Sequence, residues 1–216
     1  YTARFPERDN YAELKRRYND MMLSRLSELR EKLRSAPDPF KLAVWMAMAG
    51  NYIDFGILKQ IDDARLENML LTPDEKAVGT PALEELRADV RSARHLVYAC
   101  DNCGEVVLDM LLMEEIKREN PALNITALVR GEDVLNDVTA ADARTVGLDC
   151  VAKIVGNGSN IGGTQLELLG EEAREAMQTA DVVISKGQGN FETLTGAGLN
   201  IYYLFLAKCP HYTKWF

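Results

Sequence analysis

Three short segments of the chain carry side chains that could together handle a phosphorylated small molecule. The first is Cys100-Asp101-Asn102-Cys103-Gly104-Glu105. A carboxylate beside an amide carbonyl is a pair of hard oxygen donors, suited to Mg²⁺ or Mn²⁺ rather than to a thiophilic metal. The same Asp and Asn also suit the cap of a helix, with Glu105 as a favourable first-turn charge. In the catalytic reading, Glu105 would hold a water or a substrate hydroxyl. The second segment runs from Arg130 to Asp137, where Asp137 offers another carboxylate and Arg130 a phosphate contact. Its plainer reading is a polar loop before a helix. The third is Ser185-Lys186-Gly187-Gln188-Gly189-Asn190-Phe191-Glu192. Here a lysine precedes a flexible backbone whose N–H groups can turn toward an anion, and Glu192 could position a water. A plain turn is the alternative. The lysine precedes the glycines, the reverse of a P-loop, and the Gly156-to-Gly163 stretch lacks the G-x-G-x-x-G spacing of dinucleotide sites.

The bulk charge makes such a combination necessary. With a formal net charge of −8, the chain argues against nucleic acid as a partner, because a phosphate backbone calls for a basic face. The same field repels a phosphorylated metabolite, so a substrate of that kind needs a metal ion, Lys186 or helix N-termini at the point of docking. Four cysteines are too few for a disulfide scaffold in a chain of 216 residues, which suggests a reducing, cytoplasmic setting. No apolar run approaches the length that spans a bilayer. The chain opens at Tyr1 without a Met and closes on Trp215-Phe216, so terminal segments are expected to be missing. Nothing speaks to the oligomeric state.

The elements that must position these segments fall into two kinds. Residues 1–93 read as a helical subdomain. Apolar side chains at Leu14, Tyr18, Met21, Met22, Leu26 and Leu29 mark one helix from Tyr11 to Leu33. A more uniformly apolar helix follows at Phe40 to Ala49 and another at Pro81 to Ala93. Residues 94–216 alternate strands and helices, with strands expected at 95–100, 124–129, 151–155, 181–185 and 200–207. This pattern predicts an α/β fold with a doubly wound, largely parallel sheet. In such sheets ligands bind at the carboxyl ends of the strands, and all three segments lie there.

Several spaced motifs, in order, resemble the DUF89 proteins, the damage-control phosphatases related to an acidic-residue methyltransferase-like protein, and in particular their prokaryotic branch. They are Asp9-Asn10-Tyr11 with Lys15 and Asn19, Asp38-Pro39-Phe40, Gly50-Asn51-Tyr52-Ile53-Asp54-Phe55-Gly56, Asp101-Asn102-Cys103-Gly104-Glu105, Asn136-Asp137-Val138-Thr139, and Ala180 through Thr193. The resemblance implies a phosphatase acting on small phosphorylated metabolites with Mn²⁺, Co²⁺, Ni²⁺ or Mg²⁺. It implies Asp101, Asn102 and Asp137 as metal ligands and Lys186 to Asn190 as the phosphate pocket. Asn51 and Asp54, which on residue pattern merely end a buried helix, become part of the pocket wall. The nucleophile stays open between a water and the Asp101 carboxylate.

Four rivals follow from the same residues. Cys100-x-x-Cys103 at a strand-helix junction is the spacing of a thiol redox site, although Asp101 between the thiols would raise a thiol pKa. A zinc site is weaker, because Cys150 and Cys209 are isolated. A methyltransferase would want a glycine-rich loop where Asp101-Asn102 stand. A non-enzymatic sensor of a metal or phosphometabolite has the same residue requirements. His95 and His211 receive no role.

Overall fold

The apolar runs at 96–99, 125–129 and 182–185 are unbroken because those strands are covered on both faces. The computed structural model describes residues 9–53, 62–72, 78 and 80–206. Its sheet has five strands: β1 (His95–Ala99), β2 (Asn124–Val129), β3 (Lys153–Gly156), β4 (Val182–Lys186) and β5 (Ile201–Leu204). Every pairing is parallel and the order is β3-β2-β1-β4-β5. The chain thus builds outward from β1 in one direction and then returns to build outward in the other. The α/β, doubly wound architecture expected from the sequence is what the structure has.

The described helices preceding the sheet are α1 (Asp9–Ser24), α2 (Leu26–Ser35), α3 (Pro39–Gly50), α4 (Asp63–Leu71) and α5 (Pro81–Ser92). Within the α/β part come α6 (Glu105–Glu119), α7 (Ala140–Thr145), α8 (Glu171–Thr179) and α9 (Gln188–Leu194). One apolar cluster joins α1 to α7 with Leu96, Tyr98, Ile125 and Ile184 on one sheet face. A second joins α8 and α9 with Val97, Leu128, Val155 and Val183 on the other. The boundary expected near residue 93 marks a change of element type, and the first cluster runs across it.

α6 is the central helix, buried on nearly every side between the sheet and α3. α3 is apolar on most of its circumference for the same reason. Its start is fixed by the Asp38 carboxylate, which accepts from the Lys41 amide at 3.1 Å, with Pro39 in the first turn. Where α3 ends, a Cβ on Gly50 would stand 2.7 Å from Leu108 Cδ1 of α6.

Three elements differ from the sequence reading. The single helix expected from Tyr11 to Leu33 is two, because the turn tightens at Arg25, whose amide bonds Met22 O at 3.2 Å. Ser24 Oγ bonds Met21 O beside it. Asp63–Leu71 is a helix no pattern announced. Residues 188–194, expected as a flexible loop, form α9, too short to show a helical period. The expectations for Asp54, Cys209, His211 and Trp215-Phe216 fall outside the described residues.

Gly50→Val tests the α3–α6 contact. Forcing these helices apart should cost about 1–3 kcal/mol, read as a lower urea midpoint. A midpoint equal to that of the wild type would refute the contact.

Candidate active site

Ala99 of β1 is level with Leu128 of β2 and Ser185 of β4. Asp101, Arg130 and Lys186 therefore leave the sheet at one edge, around the strand where the chain order reverses. Parallel sheets bind ligands at that point.

Asp101 is half-buried, whereas Asn51, Asn102, Glu105, Arg130, Asn136, Asp137, Lys186 and Asn190 around it are buried. Its Oδ2 accepts from Asn102 Nδ2 at 2.7 Å and from Asn51 Nδ2 at 3.1 Å. The carboxylate rests on Gly187, where φ is +78° and a Cβ would stand 2.0 Å from Asp101 Oδ2. Glycine alone both adopts that backbone readily and leaves that space. The Asp101 and Asp137 loops are joined directly. Val138 N donates to Asp101 O, and Cys103 N to Asn136 O, both at 2.9 Å. Asn136 Nδ2 donates to Asn102 Oδ1 at 2.7 Å, and Asn102 and Asp137 form an antiparallel bridge.

Beneath Asp101 lies a buried ionic cluster. Lys186 Nζ, with no exposed side-chain surface, donates to Glu105 Oε1 at 2.5 Å, Ala47 O at 2.6 Å and Asp109 Oδ1 at 2.9 Å. Tyr98 OH donates to the same Asp109 oxygen at 2.7 Å, and Asp109 Oδ2 has no hydrogen-bond partner among the described residues. Burial works against the Lys186 charge, yet Asp109 and Glu105 outweigh it and hold the ammonium above its usual range. Burial pushes the Asp109 carboxyl up to about 6, with Lys186 opposing and Glu105 reinforcing the rise. Glu105 also accepts from Asn51 at 3.2 and 3.3 Å and from Asn102 at 3.1 Å.

These bonds revise several expected roles. An ammonium has three donors, and Lys186 uses all three on the protein, so its direct contact with phosphate is replaced by a hold on Glu105 and Asp109. Arg130 donates Nε to Asp137 Oδ2 at 2.5 Å and its other nitrogens to Gly163 O and Asn190 Oδ1. It braces Asp137 rather than facing an open pocket. Asn190 donates to Cys100 O at 3.1 Å and Lys186 O at 2.8 Å and accepts from Thr164 Oγ1 at 2.8 Å, so its amide is spent on the fold. Gly189 packs on Gly163, with a hypothetical Cβ 3.2 Å from Gly163 N. Glu105 is fully buried with both oxygens bonded, which makes it an orienting group rather than a holder of free water. Glu192 lies on the exposed side of α9. Asn51 reaches both Asp101 and Glu105. Sequence reasoning passed over Asp109 and, although it quoted Asn136 in a motif, gave that residue no role. Asp109 had a signal, a carboxylate four residues after Glu105 in an otherwise apolar helix stretch.

The expected metal ligands suit a hard divalent cation. Among the described residues no group of three or more His, Cys, Asp or Glu side chains is placed to hold a metal. The expected set has two carboxylates and takes its third oxygen from an amide. Asn102 Oδ1 accepts one bond, from Asn136, which leaves an amide oxygen a second lone pair. Counted as ionised, Asp101, Glu105, Asp109 and Asp137 outnumber Lys186 and Arg130 by two charges. A divalent ion offsets that deficit.

The chain matches the family model described as the damage-control phosphatase ARMT1-like domain over residues 2–215. The chain belongs to that family. It is 35% identical to a protein of Archaeoglobus fulgidus named damage-control phosphatase, covering 93% of this chain and 69% of the relative. Identity is 33% to a damage-control phosphatase of Pyrococcus horikoshii, over 94% and 69%. An uncharacterised protein of Methanocaldococcus jannaschii is 35% identical, over 93% and 67%. The crystal structure of a DUF89 family protein from Pyrococcus horikoshii aligns with a TM-score of 0.76 at 32% identity, covering 93% of this chain and 68% of that one. The resemblance read from the motifs is thus the family found.

The thiol rival fares poorly. Cys100 and Cys103 are buried and unbridged, and burial pushes both thiols up, reinforced by Asp109 at Cys100 and by Asp142 at Cys103. Redox thiols need the opposite change. A groove of about 1400 Å³ opens at the other end of the sheet, lined by His95, Asn124, Lys153 and Asp181 near the strand starts. It is remote from the carboxyl edge, where parallel sheets bind their ligands.

Two predictions test the ionic cluster. The Asp109 carboxyl binds its proton more tightly folded than unfolded, so its contribution to stability is greatest below its ordinary 3.8 and is lost as pH rises through about 6. Each tenfold difference in proton affinity between the two states is worth about 1.4 kcal/mol. Across that range the wild-type urea midpoint should therefore fall relative to that of Asp109→Asn, and a constant difference between the two would refute the shift. Lys186→Met should strand two buried carboxylates and cost about 3–5 kcal/mol. Unchanged stability with only weaker inhibition by inorganic phosphate would restore the direct-contact role.

Proposed function

We propose that this protein is a divalent-metal-dependent phosphatase that hydrolyses phosphate monoesters of small metabolites at Asp101. The observation that carries the proposal is a net deficit of two positive charges, counted over the half-exposed Asp101 carboxylate and the buried ionic groups directly beneath it. The names of the Archaeoglobus and Pyrococcus relatives support the same reaction. Asp101, Asn102 and Asp137 would hold Mn²⁺, Co²⁺, Ni²⁺ or Mg²⁺. When bound, such an ion supplies positive charge to the phosphoryl oxygens and lets an anion approach an acidic chain.

The protein's own groups set the rest. Asn51 and Asn102 aim the Asp101 carboxylate by donating to its Oδ2, leaving it poised to hold or to attack. The first-turn amides of α9, beginning beside Asp101 after Gly187, lack intrahelical acceptors and add donors for phosphate oxygens. Lys186 and Arg130 act from one layer below, keeping Glu105 and Asp137 in place.

The test is turnover of purified protein on a panel of sugar phosphates, nucleotides and phosphorylated cofactor precursors, with the four metals in parallel. Asp101→Asn should lower kcat by at least about a hundredfold with its unfolding temperature retained. Gly187→Ala should approach the same loss by displacing that carboxylate. Turnover by Asp101→Asn equal to wild type would end the proposal, as would an absence of phosphatase activity with every metal.

A further inference from the structure

α1 contributes nothing to the site as described so far, yet two of its polar residues are buried and both point to the metal-ligand loops. Lys15 and Asn19 are each 3% exposed. They stand one turn apart and so share a helix face. Asn19 Oδ1 accepts from Gly104 N at 2.6 Å, just after Asp101-Asn102. Gly104 has a φ of +82°, and a Cβ there would meet Tyr18 Cβ at 3.0 Å, so α1 lies directly on this turn. Lys15 Nζ bonds Asp133 Oδ1 at 2.9 Å and Asp142 Oδ2 at 2.6 Å. Asp133 lies before Asp137 in the chain and Asp142 after it, so one ammonium ties both shoulders of that loop.

We infer that α1 is a brace that fixes the spacing between the Asp101-Asn102 loop and the Asp137 loop, with Lys15 and Asn19 as positioning residues for metal binding. The bonds between the two loops, through Asn136 and Val138, set their register, and Arg130 with the Gly131 and Glu132 amides holds the outer loop from the sheet side. Lys15 holds it from the α1 side. Its charge also offsets two carboxylates next to a site already acidic. Burial opposes the Lys15 charge, but Asp142 and Asp133 hold the amine above its usual range, and Lys15 in turn holds the Asp142 carboxyl low. The Asp142 carboxylate also accepts from Thr139 N and Oγ1, in the capping box of α7. It therefore keeps two of its hydrogen bonds when Lys15 is replaced.

The inference rests on the metal reading above, and titration of metal-free protein with Mn²⁺ alone, followed by calorimetry, separates the two. Lys15→Met should weaken Mn²⁺ binding by about tenfold or more, and Lys15→Arg should restore it to within about threefold. A purely structural role would lower the unfolding temperature of metal-free protein and leave Mn²⁺ affinity intact, so Lys15→Met with wild-type affinity overturns the brace alone. Wild-type protein that binds no Mn²⁺ overturns the metal reading and the brace with it. Should Lys15→Met fail to fold, Asp133→Ala decides. That side chain is 86% exposed, and its loss should weaken Mn²⁺ by about threefold, whereas unchanged affinity refutes the brace.

Discussion

A lysine ammonium with no contact to solvent is the constraint around which this fold is arranged. Taking Lys186 out of water costs several kcal/mol, and the cost is offset only by charges and acceptors brought into the same dry volume. Glu105 and Asp109 supply the charges from successive turns of α6, and Ala47 O supplies the third acceptor from α3. To meet one atom at the end of β4, α6 must lie deep against the sheet and α3 must lie against α6. The apolar surfaces of both helices then follow from their position. The pairing also explains why α6 begins with a buried carboxylate instead of an exposed cap.

The cluster is not neutral, and its imbalance is transmitted toward the surface by amides. Two acids face one ammonium, so Glu105 keeps acceptor capacity that Asn51 and Asn102 fill. The same two amides continue to Asp101 Oδ2. An asparagine can join two acids without adding charge, which a lysine or arginine in its place could not do. Asn136 and Asn190 perform similar work between backbone segments. The result is a carboxylate held in one orientation at the rim, above a layer that already lacks positive charge. An arrangement of that kind is stable only because each of these asparagine amides is bonded, and its acids exceed its bases.

How much of this was readable follows from the range of each interaction. The strands were legible since burial on both faces makes their sequences continuously apolar. Asp101, Asn102 and Asp137 were legible as a convergent set because parallel topology sends strand ends to one edge. The direction of Lys186 was not. A lysine after a strand reads as a solvent-facing cation, and its actual partners are 77 and 81 residues away. Arg130 misled for the same reason, since its contacts with Gly163 and Asn190 come from other loops. α9 escaped notice because seven residues show no clear period. Asp109 was missed although its spacing from Glu105 was visible, because a lone acid in an apolar stretch says nothing of what faces it.

The helical part of the chain takes its meaning from the same logic. Viewed as sequence, α1 to α5 are an amphipathic and apolar appendage to a sheet that carries the chemistry. In the structure, α3 ends with Asn51 on Asp101 and offers Ala47 O to Lys186, while α1 places Asn19 on the turn at Gly104. Removing these helices would expose α6 and take away Ala47 O, one of the three acceptors of Lys186. It would also leave Asp101 with one orienting amide instead of two. A parallel sheet alone brings the acids to one edge. The helices determine that those acids stay buried, oriented and short of positive charge, and that state is what a metal ion and a phosphate can answer.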